Sequence, residues 1–96
     1  MGPRINNNDE WLVEAVIEPK PSLRDPEGET ILKALVHREG WGEVLEIRSA
    51  KLLRFKVKAI SPEEAERLVK KVCDDLRLYN PVSSTLKVRA YEGSRG

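Results

Sequence analysis

The chain has 96 residues, of which 40% are hydrophobic and 34% are charged, a composition typical of one small domain with a single core. Its 17 Lys and Arg residues nearly balance its 16 Asp and Glu residues, so the formal net charge of +1 gives no general attraction to nucleic acid or anionic membranes. With Cys73 as the only cysteine, an intrachain disulfide bond and a cysteine-based metal site are both excluded.

The two ends of the chain lack the periodicity of a helix or a strand. Residues 1–9 contain three consecutive Asn residues and a Gly-Pro pair, and we predict flexible tails at 1–9 and 93–96 around one domain at 10–92. The longest apolar run is too short to cross a bilayer, and the first residues lack the apolar core of a signal peptide. We therefore expect a cytoplasmic protein with no membrane or nucleic-acid partner.

The first predicted element is a half-buried strand. Its apolar residues alternate along one face, as expected for a strand with one side against a core: Trp11, Val13, Ala15 and Ile17. Leu12 and Val16 make the opposite face partly apolar, so we expect part of that face to meet another chain. Pro19 ends the strand because proline cannot donate a hydrogen bond to a strand ladder.

A first helix is predicted to begin at Asp25, which can cap it, followed by Pro26 at the first helical position. Its apolar side chains share one side, and Gly40 supplies a stop: Ile31, Leu32, Leu35 and Val36. Gly28 is disfavoured in a helix by roughly 1 kcal/mol relative to alanine, which indicates either a close backbone approach or a partner that needs this corner bare. On the second interpretation, Gly28→Ala leaves the fold intact or slightly stabilised and weakens complex formation.

The middle of the chain predicts a β-hairpin, with strands at 44–49 and 52–59 and a tight connection near Ala50-Lys51. Trp41, just before it, is expected to pack over the edge of the core, with an interface position as the alternative. The second strand points alternate residues to solvent, and these form a basic stripe: Arg54, Lys56 and Lys58. A solvated sheet face is the preferred reading of this stripe, and contact with an acidic partner or a phosphate is the alternative.

A second helix is predicted from Ser61-Pro62-Glu63-Glu64, which has the pattern of a capping box, and it ends by Asn80-Pro81. A last strand follows at 85–91. The order strand, helix, strand, strand, helix, strand predicts an α+β, βαββαβ ferredoxin-like fold, with an antiparallel sheet and two helices on one face. The open face and the edge strands are then the natural places for self-association.

Catalytic motifs are missing from the sequence, which has one histidine, one cysteine, no Gly-x-Ser-x-Gly, no Walker-type loop and no cluster with metal-ligand spacing. Cys73 lies on the apolar stripe of the second helix, where we expect a small buried hydrophobic residue. His37 lies in the last turn of the first helix and is expected to interact with the helix C-terminus. We therefore predict no catalytic, cofactor-binding or metal-binding residue.

Four segments in this order and spacing resemble the PurS family, the small subunit of phosphoribosylformylglycinamidine (FGAM) synthase: Asp25-Pro26-Glu27-Gly28, Ile47-Arg48-Ser49-Ala50-Lys51, residues 64–73 and Asn80-Pro81-Val82. The resemblance covers about residues 12–92. It implies a non-catalytic homodimer, or a dimer of dimers, that bridges the glutaminase and synthetase subunits of an ATP- and glutamine-dependent C–N ligase. ATP and Mg²⁺ are then expected in the synthetase subunit, and none in this chain.

The resemblance also implies a set of partner-interface residues: Asp25, Pro26, Gly28, Arg48, Lys51, Asn80, Pro81 and Val82. The alternative function is a ferredoxin-like regulatory module that binds a small effector at a dimer interface. Both functions use the same order of strands and helices, so the fold cannot separate them. An RNA-binding sheet is disfavoured because the predicted open face lacks exposed stacking aromatics on its central strands.

Overall fold

A three-stranded antiparallel sheet with strand order β2-β1-β3 is the centre of the structure. The computed structural model describes residues 9–92, so the predicted tails at 1–9 and 93–96 lie outside this range except for Asp9, whose backbone oxygen accepts a hydrogen bond from the Ala59 amide. The elements are β1 (Glu10–Pro19), α1 (Pro26–Thr30), its continuation with π-helical hydrogen bonding (Ile31–Val36), β2 (Lys51–Lys58), α2 (Pro62–Asp75) and β3 (Ser84–Glu92). No helix within 9–92 has the length and apolar character needed to cross a membrane.

The core lies between one face of this sheet and α2. The predicted alternation of β1 is confirmed, with Val13 and Ala15 fully buried. Every third or fourth residue of α2 meets them, as the helical period requires, and these residues are also fully buried: Ala65, Val69 and Cys73. Burying a side chain of the size of Val13 or Val69 contributes roughly 1.5–3 kcal/mol, so this layer contributes substantially to stability.

The start of α2 confirms Ser61 as its cap, whereas Glu64 reaches back to the amide one residue before the cap and not to that of Ser61. The Ser61 hydroxyl oxygen accepts a hydrogen bond from the Glu64 amide at 3.1 Å, and the Glu64 carboxylate accepts one from the Ile60 amide at 2.8 Å. One unsatisfied amide of the first turn and the amide just before the cap are therefore paired. The carboxylate of Glu66 accepts a further hydrogen bond from the Ala90 amide at 3.0 Å, which ties α2 to β3.

The predicted strand at 44–49 is wrong. Between the first helix and β2 the described chain contains no strand, and β2 begins at Lys51 without a hairpin partner before it. The cause is competition from long-range contacts, because Arg48 and Ser49 donate hydrogen bonds to the loop between β1 and α1. Residues 44–49 are thereby held away from the edge of β2.

The first helix also differs from the expectation that two helices cover one face of the sheet. Only α2 packs broadly against the strands within residues 9–92. Over residues 26–50 the one buried residue is Gly28, and Trp41, predicted to cover the core edge, is 62% exposed. The Cα radius of gyration is 17.8 Å, against roughly 12 Å for a compact chain of this length. The first helix and the following segment therefore project from the sheet and leave Leu35, Trp41 and Leu45 mostly exposed, whereas their other large apolar side chains are half-buried.

Candidate partner-binding end of the sheet

The eight residues predicted as a partner interface lie at one end of the sheet, the end at which β1 finishes. In the strand register, Ile17 of β1 is opposite Lys51 at the start of β2, and Pro19 is opposite Ser84 at the start of β3. The β1–α1 loop, the segment before β2 and the turn before β3 therefore all begin or end here. We call this set the sheet-end site: Asp25, Pro26, Gly28, Arg48, Lys51, Asn80, Pro81 and Val82.

Asp25 is the most connected residue of the site. It is 5% exposed, and its carboxylate caps α1 by accepting a hydrogen bond from the Gly28 amide at 3.3 Å. The Ser49 hydroxyl lies 2.8 and 2.9 Å from the two carboxylate oxygens, and the Ser49 amide donates to the same group. Hydrogen bonds from the amide and hydroxyl of Ser49 stabilise the charged form and lower the pKa of Asp25 below its ordinary value of 3.8.

Gly28 allows the backbone of residue 47 to approach α1. A Cβ atom at Gly28 would lie 2.8 Å from the carbonyl carbon of Ile47, closer still to its oxygen, and 3.0 Å from the Asp25 carboxylate. Of the two explanations for this glycine, the structure therefore supports the close backbone approach. It contradicts the expectation that Gly28→Ala leaves the isolated fold intact, because the backbone of Ile47 would have to move.

Arg48 fixes the loop between β1 and α1. Its guanidinium donates to the carbonyl oxygen of Leu23 at 2.8 Å and to that of Lys20 at 3.1 Å. The Lys20 amide in turn donates to the Ser83 carbonyl oxygen at 3.0 Å, which joins this loop to the turn before β3. Because a planar guanidinium presents several donors in fixed directions, Arg48 holds two carbonyl groups of one loop at once.

Asn80 organises the turn before β3. Its side-chain oxygen accepts a hydrogen bond from the Val82 amide at 3.0 Å, an arrangement typical of Asx turns. Its backbone oxygen accepts from the amides of Ser83 and Ser84 at 3.1 and 2.8 Å. The turn presents Pro81 and Val82 to solvent, and Val82 is 78% exposed. An apolar side chain is thus held in a fixed position outside the core.

A surface cavity of about 430 Å³ lies at the same end of the molecule. Its lining mixes both signs of charge, and one pair, Lys87 and Glu18, is joined by an ion pair at 3.3 Å. The lining residues are Glu18, Pro19, Pro21, Glu46, Arg48, Thr85 and Lys87. No group of three or more His, Cys, Asp or Glu side chains in the described range is arranged to hold a metal ion.

Neither Cys73 nor His37 belongs to this site. Cys73 is fully buried, and burial raises the pKa of its thiol, which disfavours the nucleophilic thiolate. Its predicted burial as a small hydrophobic residue is confirmed. The His37 ring lies 2.8 Å from the Val44 carbonyl oxygen in an exposed part of the chain, so its contact is with the following segment rather than with the carbonyl groups of its own helix.

Sequence reasoning missed Ser49 as a member of the site. This residue lies inside the segment that carried the family resemblance, but a serine between Arg48 and Ala50 gives no signal of a distant carboxylate partner. The one indication of such a contact in the sequence is Asp25. A capping carboxylate has a second oxygen, and a backbone that approaches Gly28 closely brings further donors within reach of it.

The chain is similar in sequence to proteins of one known family. Residues 12–92 match the family model PurS, phosphoribosylformylglycinamidine (FGAM) synthase. The phosphoribosylformylglycinamidine synthase subunit PurS of Archaeoglobus fulgidus is 41% identical over 71 residues, which cover 74% of this chain and 86% of that protein.

Solved structures give the same result. The purS subunit of phosphoribosylformylglycinamidine synthase from Thermotoga maritima has a TM-score of 0.74 at 33% identity, over 85% of this chain and 92% of that one. A chain in the structure of PurLQS from Thermotoga maritima has a TM-score of 0.71 at 34% identity, over 84% of this chain and 98% of that one. The α+β, ferredoxin-like, PurS-like class predicted from the sequence is confirmed. The chain belongs to the PurS family of FGAM synthase.

Proposed function

We propose that this chain is the non-catalytic small subunit of FGAM synthase in de novo purine biosynthesis, and that it joins the glutaminase subunit to the synthetase subunit. The observation that carries the proposal is the family match over residues 12–92. Its similarity to a chain solved as part of PurLQS supports a role inside a larger complex. The geometry of the sheet-end site fits this role. The hydrogen bonds of Asp25, Arg48 and Asn80 hold its loops and turns in place, as a binding surface requires.

The proposed complex converts formylglycinamide ribonucleotide to the amidine with glutamine and ATP. The glutaminase releases ammonia, and the synthetase binds ATP and Mg²⁺ and uses the ammonia. This subunit contributes position, since a bridge that holds the two active sites in register lets ammonia pass between them without loss to solvent. Confining a reactant in this way replaces a bimolecular encounter with a local one.

We assign the partner contact to the sheet-end site. Asp25 and Arg48 give it rigidity through hydrogen bonds that join the β1–α1 loop, the start of α1 and residues 48–49, and rigid loops lower the entropy cost of binding. Pro81 and Val82 give it an exposed apolar contact on a fixed turn. The buried core of a protein interface is more apolar than its polar rim, and an exposed apolar turn surrounded by polar residues fits that arrangement.

The assembly proposed for this subunit is a homodimer or a dimer of dimers in the cytoplasm. An uncovered projecting helix and an open sheet face in the same chain support self-association. The regulatory-module alternative is not favoured, because the relatives reported above carry the name of the FGAM synthase subunit or of PurLQS.

Co-expression of the full chain with glutaminase and synthetase subunits from the same source tests the role. We expect all three to co-purify and to form FGAM with glutamine as the nitrogen donor. A chain that neither co-purifies nor changes glutamine-dependent FGAM formation would contradict the proposed function.

A pair of variants tests the contact surface. Val82→Asp places a charge on the exposed turn and is expected to weaken co-purification. Ile60→Asp is the matched control, because Ile60 is also an exposed aliphatic residue, 66% exposed, and follows the end of β2 that pairs with the start of β1. If Val82→Asp assembles as well as Ile60→Asp does, the sheet-end site is not the contact, although the bridging role stands.

A further inference from the structure

The segment between Gly28 and Ile47 has a large apolar surface that the rest of residues 9–92 does not cover. We define the arm as residues 29–46, within which no residue is buried. Three of its large side chains are mostly in solvent, with exposed fractions of 61, 62 and 85%: Leu35, Trp41 and Leu45. A helix of this length gains most of its stability from packing, and an apolar surface of this extent indicates a contact with another molecule.

Both ends of the arm are fixed at the sheet-end site. Just before it, Asp25 and Gly28 lie in α1 and its cap, and just after it Ile47 packs on Gly28 while Ser49 binds Asp25. The arm therefore leaves the sheet and returns to the same place, as a closed loop. This geometry keeps the arm off its own sheet, in agreement with α2 being the helix that packs broadly on the strands among residues 9–92.

The face of the sheet opposite α2 is open and also carries apolar side chains. Val16 of β1 lies directly opposite Leu52 of β2, and Leu12 lies between Lys56 and Tyr91. Leu52 is 46% exposed in the described structure. We call this surface the open face. No other element within residues 9–92 covers it, as is common for one face of an antiparallel sheet, and its apolar strip of Leu12, Val16 and Leu52 makes it suitable for contact with a partner.

The charges of the arm and of the open face are opposite. The arm has four acidic and two basic residues, and one of the acidic residues, Glu29, is paired with Arg24 just before the arm. By strand alternation the open face has five basic and three acidic residues, and two of the acidic ones, Glu14 and Glu18, are paired within the face to Arg54 and Lys87. Lys56 and Lys58 form no ion pair within the described range. An acidic apolar surface and a basic apolar surface on one chain are complementary between two copies of it.

We infer that the arm of each copy lies across the open face of a second copy, so that two reciprocal arm-and-face contacts form the homodimer. This inference rests on the proposed homodimer and specifies its interface. A twofold axis makes such an interface self-complementary, with each contact made twice. The arrangement covers Trp41 and Leu45 with the apolar strip of the partner's sheet and places acidic arm residues near the partner's Lys56 and Lys58.

Sedimentation equilibrium of the full chain measures the effect of Leu45→Lys. This change removes an apolar contact and brings a positive charge to a basic surface in both halves of the dimer. We expect the dimer dissociation constant to rise about 100-fold or more. Leu76→Lys is the matched control, because Leu76 is 67% exposed at the end of α2, outside the arm and the open face, and the control is expected to remain dimeric.

Mixing two defective chains separates this interface from others. The double variant Lys56→Glu, Lys58→Glu has a damaged face and an intact arm, whereas Leu45→Lys has a damaged arm and an intact face. A mixture restores one native contact and pairs the new lysine with new glutamates, so we expect heterodimers although each variant alone is weakened. Their recovery also shows that both chains fold.

Two outcomes would overturn the inference: a dimeric Leu45→Lys variant, or a loss of dimers in both variants without recovery on mixing. A wild-type chain that is monomeric alone and present as one copy per complex would instead overturn the homodimer on which the inference rests. The bridging role is judged separately, by co-purification and glutamine-dependent FGAM formation.

Discussion

The carboxylate of Asp25 accepts hydrogen bonds from both the backbone amide and the hydroxyl group of Ser49, 24 positions further along the chain. The same carboxylate caps α1 through the Gly28 amide. One side chain therefore starts the first helix and closes the loop that this helix opens. Arg48, the residue before Ser49, binds the carbonyl oxygens of Leu23 and Lys20 in the loop between β1 and α1. The geometry of the sheet-end site therefore depends on the hydrogen bonds of two neighbouring residues, 48 and 49.

The pKa of Asp25 predicts an acid-sensitive contribution to stability. Its folded pKa is lowered below the ordinary 3.8 by the Ser49 hydrogen bonds. The contribution is therefore fully present above the unfolded pKa and is lost as the pH falls through the lowered folded value. We expect Asp25→Asn to destabilise the protein at pH 7, and the difference from wild type to shrink as the pH falls below about 4. Urea unfolding between pH 7 and pH 3 measures this difference.

Glu29 provides the control for that experiment. Its pKa is also lowered, chiefly by a hydrogen bond from Arg24, but this pair lies at the surface, with the Arg24 side chain 79% exposed. Exposed ion pairs contribute little to stability, so Glu29→Gln is expected to change unfolding only slightly at any pH. Equal effects of the two substitutions would show that the Asp25 carboxylate has no special part in the fold.

Gly28→Ala is expected to destabilise the isolated chain by about 1–3 kcal/mol, the usual cost of forcing an added carbon into a packed site. The reason is the backbone of Ile47, which an alanine Cβ would meet far inside van der Waals contact. Urea unfolding at constant protein concentration measures the change. Gly42→Ala is the matched control, because a Cβ there has no neighbour within 4 Å, and its effect is expected within about 0.5 kcal/mol. Equal stability of the two variants would contradict the close approach.

Sequence patterns predict the elements whose partners are local or periodic. The alternation from Trp11 to Ile17 places β1, and the Ser61 capping box places α2, because both depend on residues a few positions apart. The order of elements then gives the α+β class. These features predict a buried layer between β1 and α2, and the structure confirms it.

The segment at 44–49 shows what such patterns cannot predict. Its composition allows a strand, but Arg48 and Ser49 find hydrogen-bond acceptors 24–28 positions earlier in the chain, and a local pattern contains no information about them. The sequence shows that Gly28 is unfavourable in a helix. It does not show whether a nearby backbone or a binding partner requires the glycine, and that question is answered by the position of Ile47 in the structure. The grouping of the sheet-end residues likewise required the strand register.

Arg48→Lys is expected to loosen the loop between β1 and α1. A lysine ammonium is a compact donor without the fork of a guanidinium, so it cannot hold the Lys20 and Leu23 carbonyl groups in the same way. We expect a loss of about 1 kcal/mol in unfolding free energy and faster hydrogen exchange at the Leu23 amide, which bonds to the Lys20 oxygen. Arg67→Lys, on the exposed side of α2, is the control. Unchanged exchange at Leu23 would show that the loop holds its shape without Arg48.

Cys73 is expected to be unreactive in the folded protein. The thiol is fully buried and its pKa is raised by burial, so a thiol reagent should modify it slowly under native conditions and quickly in urea, at a rate set by opening of the fold. Cys73→Ala removes one buried sulfur atom and is expected to cost on the order of 1 kcal/mol, while glutamine-dependent FGAM formation by the assembled complex remains unchanged. Rapid native labelling, or loss of activity in a variant that still assembles, would contradict the structural role assigned to this residue.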